Sequence, residues 1–121
     1  MRKVTVLVAL VALVALGVAV LALAGGAQSQ STSPPNTQIH GGPSGTVSSR
    51  TARFHLYSTK PGRIRCKLNA KPWRVCVRAR QGYVTFTNLK RGKRHTLRAQ
   101  AVDRQGRGDP TPAVRRWTVS R

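Results

Sequence analysis

The chain has 121 residues, which leaves room for one domain. Lysine and arginine number 22 against two carboxylates, Asp103 and Asp109, for a formal net charge of +20. That composition excludes an oxygen-ligated metal cage, leaves little for carboxylate acid–base catalysis, and favours polyanions such as nucleic acid, acidic lipid or acidic envelope polymers.

Met1-Arg2-Lys3 is a short positive flank, and residues 4–24 carry no charge and are mostly Val, Ala and Leu. Gly25-Gly26-Ala27 and the polar run Gln28-Ser29-Gln30-Ser31 follow. This is the three-part layout of a secretory signal over residues 1–27, with small residues at Ala22 and Ala24, or at Gly25 and Ala27, as cleavage positions. As a helix, the apolar run would be about 31 Å long, enough to span a bilayer, so an uncleaved signal-anchor is the alternative. Either way the positive flank stays inside and the rest is translocated. The expectation is an exported protein, secreted or at the cell surface, held to the membrane by residues 1–27 if they are not cleaved. No cysteine follows the apolar run closely, which excludes a lipid-modified cysteine anchor.

Residues 28–35 are rich in Ser and Gln and end in Pro34-Pro35, the composition of a flexible tether. From residue 36 the pattern has period two. Ala52, Phe54 and Leu56 alternate with Arg53, His55 and Tyr57, and Ile64, Cys66 and Leu68 alternate with Arg63, Arg65 and Lys67. Val84 and Phe86, then Leu97, Ala99 and Ala101, then Trp117 and Val119 repeat the alternation. Each set reads as a strand with one buried face. Gly, Pro and Asn signals punctuate the strands at Gly41-Gly42-Pro43, Pro61-Gly62, Asn69 to Pro72, Gly92 and Gly106 to Pro112. No segment after residue 27 has a helical period. The reading is all-β over residues 36–121, with Phe54, Leu56, Ile64, Leu68, Phe86, Leu97 and Trp117 buried.

The residues at the strand ends carry a resemblance. Thr37-Gln38-Ile39-His40-Gly41-Gly42-Pro43-Ser44-Gly45 opens the domain, and Cys66, Leu68, Asn69-Ala70-Lys71, Trp73 and Cys76 form a central block. Leu89, Gly92 and His95-Thr96-Leu97 follow, and Asp103, Gly106, Asp109-Pro110-Thr111-Pro112-Ala113 and Trp117-Thr118-Val119 close it. In this outline the chain resembles the bacterial immunoglobulin-like (fibronectin type III-like) repeats of secreted and surface proteins, of the actinobacterial type. The resemblance implies an immunoglobulin-like antiparallel β-sandwich with an adhesive or spacer role, no cofactor and no enzyme activity. The usual Asp-Gly-Gly turn is missing, and bases replace neutral residues in the turns.

Cys66 and Cys76 flank a turn centred near Lys71, so in a hairpin they face each other within disulfide range. Export supplies the oxidising compartment. Strict alternation would then turn Trp73 and Val75 outward, and a bulge near Pro72 is one way to reconcile the two.

Strands C, F and G of an immunoglobulin-like sandwich share a sheet. Their outward residues would be Arg63, Arg65, Lys67, Arg98 and Arg116, one positive face. Lys90, Arg91, Lys93 and Arg94 make a second cluster in the loop before strand F. These nine are the candidate polyanion-binding residues, for an anionic envelope component or, without sequence preference, nucleic acid. Aromatic residues on that face are few, which speaks against base stacking there. Arg107-Gly108-Asp109 spells the integrin-recognition tripeptide in the predicted F–G loop and is a candidate adhesion loop. His95 and Asp103 would lie about 26 Å apart on an extended strand, and His40 and His55 have no evident carboxylate partner, so no catalytic residues are assigned. No metal site is assigned either, and the sequence leaves the oligomeric state open.

Overall fold

The computed structural model describes residues 33–121. The segment read as signal or anchor lies outside them, as does most of the polar tether. Eight strands follow in order: β1 Thr37–His40, β2 Gly45–Val47, β3 Ala52–Ser58, β4 Gly62–Leu68, β5 Arg74–Val77, β6 Gln81–Phe86, β7 Lys93–Asp103 and β8 Ala113–Val119. Among the described residues there is no helix. The strands form two sheets, β1-β3-β6 and β2-β8-β7-β4-β5. The pairings are antiparallel except for β2 with β8, which run parallel. That parallel pair departs from the all-antiparallel expectation: after the Gly41-Gly42 turn the chain crosses from the first sheet to the edge of the second without reversing. The compact unit runs Pro34–Arg121, and Pro35 is fully buried.

The period-two pattern places the core between the sheets. Ala52, Phe54, Leu56, Val84 and Phe86 come from the first sheet, and Ile64, Cys66, Val77, Leu97, Ala99, Trp117 and Val119 from the second. Each large side chain buried in this way stabilises the fold by roughly 1.5–3 kcal/mol. Phe54 joins the two layers, its ring centroid 5.1 Å from Trp117 and 6.4 Å from Phe86, both at tilted angles. Gly42, at φ 72°, lies so close to Phe54 that a β-carbon there would overlap the ring. Gly62, at φ 155°, opens β4 hard against the Val102 carbonyl. Of the expected core residues, Leu68 alone is only partly buried, because β4 ends there and its side chain faces the open end between the sheets.

The cysteines are bonded, with their α-carbons 5.7 Å apart. They are not opposite each other, however. Cys66 is registered with Arg74, and the pairing steps from Arg65–Val75 to Ile64–Val77. Cys76 is therefore the extra residue of a β-bulge. The irregularity lies at the cysteine itself and not near Pro72. It lets Cys76 reach Cys66 while Val75 stays opposite the outward Arg65.

Candidate functional site

The outer face of the five-stranded sheet gathers the cations that the alternation turned outward. Across β4, β7 and β8, Arg65 lies opposite Gln100, Lys67 opposite Arg98, Arg98 opposite Val114 and Thr96 opposite Arg116. Arg63, Arg65, Lys67, Arg98 and Arg116 thus share one face, as the strand pattern implies. Lys67 and Arg98 are like charges directly opposite, an arrangement that costs about 0.2–1 kcal/mol. Arg65 is held in place. Its Nη1 donates to Gln100 Oε1 at 3.2 Å, Gln100 Nε2 donates to the Asp109 carbonyl at 3.2 Å, and the guanidinium lies 5.2 Å from the Trp73 ring centroid.

The second cluster does not stay together. Strand β7 begins at Lys93, so Lys93 and Arg94 are strand residues and not loop residues. Arg94 pairs with Thr118 and extends the basic face along the sheet. Arg91 turns back toward the β2 and β8 ends, its Nη1 donating to the Ser48 carbonyl at 3.1 Å. Lys90 remains exposed in the turn, and its carbonyl accepts from His95 Nε2 at 3.0 Å. His95 is buried and Asn69 fixes its tautomer. Asn69 Oδ1 accepts the Thr96 amide hydrogen at 2.8 Å, so Nδ2 faces His95 Nδ1 at 3.1 Å as donor.

Both carboxylates are interior. Asp103 and Asp109 are each 1 % exposed, so no carboxylate side chain of the chain reaches solvent. Asp103 accepts the Arg107 and Gln105 amide hydrogens and pairs with Arg107 Nε at 2.9 Å. Burial pushes its carboxyl up, but the Arg107 amide and guanidinium, with the Gln105 amide, outweigh that and hold it below the ordinary carboxylate range. Asp109 accepts from the Thr37 amide and hydroxyl on one oxygen and from the Thr111 amide and hydroxyl on the other. Arg107-Gly108-Asp109 is therefore not displayed as an adhesion loop. Its arginine is turned to Asp103, and its aspartate lies inside the fold.

One inward cation carries no mark in the charge pattern of the sequence. Arg115 lies on the same face of β8 as Trp117, its guanidinium 5.5 Å from the Phe54 ring centroid. It donates to the carbonyls of Ile39, Gly41 and Pro43 and so fastens the crossing from β1 to β2. On the other sheet His40, His55, Tyr57 and Tyr83 point outward from β1, β3 and β6; His40 and Tyr83 are exposed, and His55 and Tyr57 are half-buried.

No family model matches the chain, and no curated protein matches it. Among solved structures, the chain is similar in fold to the extracellular domain of BT4673 from B. thetaiotaomicron, with a TM-score of 0.51 at 15 % identity. The likeness covers 64 % of this chain and 12 % of that one, a small part of its neighbour's length.

Proposed function

We propose that the chain is an exported, non-catalytic immunoglobulin-like module that holds anionic polymers on the outer face of its five-stranded sheet. One observation carries the reading: both carboxylates are buried, so Arg63, Arg65, Lys67, Arg98 and Arg116 face solvent with no carboxylate beside them. Cations set opposite one another repel, and a polyanion relieves that repulsion.

Strand order supports the immunoglobulin-like assignment. Strands β1, β3 and β6 correspond to A, B and E, and β2, β8, β7, β4 and β5 correspond to A′, G, F, C and C′. Export is supported by the layout of residues 1–27, by the disulfide and by the extracellular neighbour. A non-catalytic role is supported by the state of the titratable groups. Asp103 is held by donors of its own loop, Asp109 by Thr111 beside it and by Thr37 of the other sheet, and His95 is tied into the turn that precedes its strand.

Retention on an anionic matrix tests the reading. Changing Arg63, Arg65 and Lys67 together to Ser is expected to move elution to markedly lower salt. Unchanged elution would reduce the face to solvated charge on a spacer module.

A further inference from the structure

The outer face of the three-stranded sheet differs in kind from the basic face. Register sets His40 opposite His55 and His55 opposite Tyr83, so three rings form a row across all three strands. Their centroids are 6.3 Å and 4.8 Å apart in turn. Two residues along β3, Arg53 lays its guanidinium 4.0 Å from the Tyr83 ring centroid. Two residues the other way, Tyr57 carries the Arg80 guanidinium at 5.4 Å, and its hydroxyl accepts from Arg80 Nη2 at 3.0 Å. The row borders a shallow depression of about 330 Å³ lined by His40, Gly41, Gly42, Arg53, His55 and Tyr83. Tyr83 is 60 % exposed.

The core does not need these rings, which lie on the solvent side of their strands. Outward aromatic rings, with His40 and Tyr83 exposed and His55 and Tyr57 half-buried, interleaved with arginine on a molecule with no surface carboxylate side chain, match what an unpaired nucleic-acid strand requires. Bases would stack on the ring faces that Arg53 and Arg80 do not cover, and the two guanidinium groups supply positive charge beside them for the phosphates. A saccharide could also rest on such rings, and the test below separates it from a nucleic-acid strand. A duplex keeps its base faces stacked inside. We propose that this face stacks the unpaired bases of single-stranded nucleic acid. The proposal rests on the anionic-polymer reading above and names a ligand class for it, but it uses a separate set of residues.

The test measures affinity of the full chain for a short oligo(dT) and for an abasic strand with the same number of phosphates, at one salt concentration. Oligo(dT) is expected to bind about 5- to 150-fold tighter, the range that stacking of one base on an aromatic residue supplies. Tyr83→Ala is expected to lose at least about five-fold on oligo(dT) and nothing on the abasic strand, while Tyr83→Phe retains most of the difference. Tyr83 is exposed, so its loss leaves the core intact. Equal binding of the two strands by the wild type would overturn the proposal, as would an equal loss on both in Tyr83→Ala. If those strands bind equally and Tyr83→Ala loses binding to an anionic polysaccharide, the face belongs to saccharides, which overturns it too. Changing Arg63, Arg65 and Lys67 to Ser is expected to weaken both strands alike. If that variant binds as the wild type does while the difference between strands persists, the basic-face reading fails and the stacking face stands.

Discussion

The Thr37 hydroxyl donates to the Asp109 carboxylate at 2.7 Å and accepts the Ala101 amide hydrogen at 2.8 Å. Thr37 belongs to the edge strand of the three-stranded sheet and Ala101 to the central strand of the five-stranded one, so one hydroxyl joins the two layers. Asp109 is the anchor of that joint. Asp109→Ala leaves the Thr37 and Thr111 amides without their acceptor and is expected to cost about 1–3 kcal/mol. Thr37→Val strands the Ala101 amide in the same way. Because both changes break one network, chemical denaturation of the double variant should show less than the sum of the single losses. Strict additivity would mean that the joint does not act as a unit.

Asp103 links the same loop to pH. Its folded carboxyl titrates below the ordinary value, held there by Arg107 and Gln105 against the effect of burial. A depressed carboxyl stabilises the fold fully above its unfolded value, near pH 3.9, and that contribution is lost as pH falls through the folded value. Wild-type stability is therefore expected to decline as the medium is acidified below about pH 4. Asp103→Asn should be less stable at neutral pH and flatter across the acid range, so that the two curves converge at low pH. Parallel curves would remove Asp103 from the acid response.

The disulfide closes a short loop over a pairing that is itself irregular. Its removal by Cys66→Ala with Cys76→Ala is expected to cost about 3 kcal/mol in a chain-entropy account. Urea denaturation of the oxidised protein and of the double variant measures the difference. Alkylation of the exported protein without reductant should label neither cysteine.

Much of this architecture can be read from alternation alone. Phe54, Leu56, Ile64 and Leu97 are buried because every second residue of a strand points the same way, and that rule also sets Arg63, Arg65 and Lys67 on one face. Features that depend on tertiary partners are not legible. Arg107-Gly108-Asp109 reads as a displayed tripeptide until Thr37, 72 residues away, is seen to supply the donors that bury its aspartate. Arg115 is at an inward position by the alternation of β8, yet the carbonyls that satisfy it belong to the distant β1–β2 turn. The ring row of His40, His55 and Tyr83 exists only once three separate strands are in register. The bulge at Cys76 has no composition signal, since neither glycine nor proline occupies it.

Binding belongs to the basic face if its cations, and not net charge alone, meet the ligand. The direct measurement is the salt dependence of affinity for duplex DNA. Comparison is made between the wild type, Arg63, Arg65 and Lys67 changed to Ser, and a charge-matched control with the exposed Arg78, Arg104 and Arg121 changed to Ser. If the five cations of the face meet phosphates, log affinity falls against log salt with a slope of roughly −4.5. The face variant should then be shallower by about 2.7, and the charge-matched control should keep the wild-type slope. Equal slopes for the two variants would mean that net charge, and not this face, governs binding.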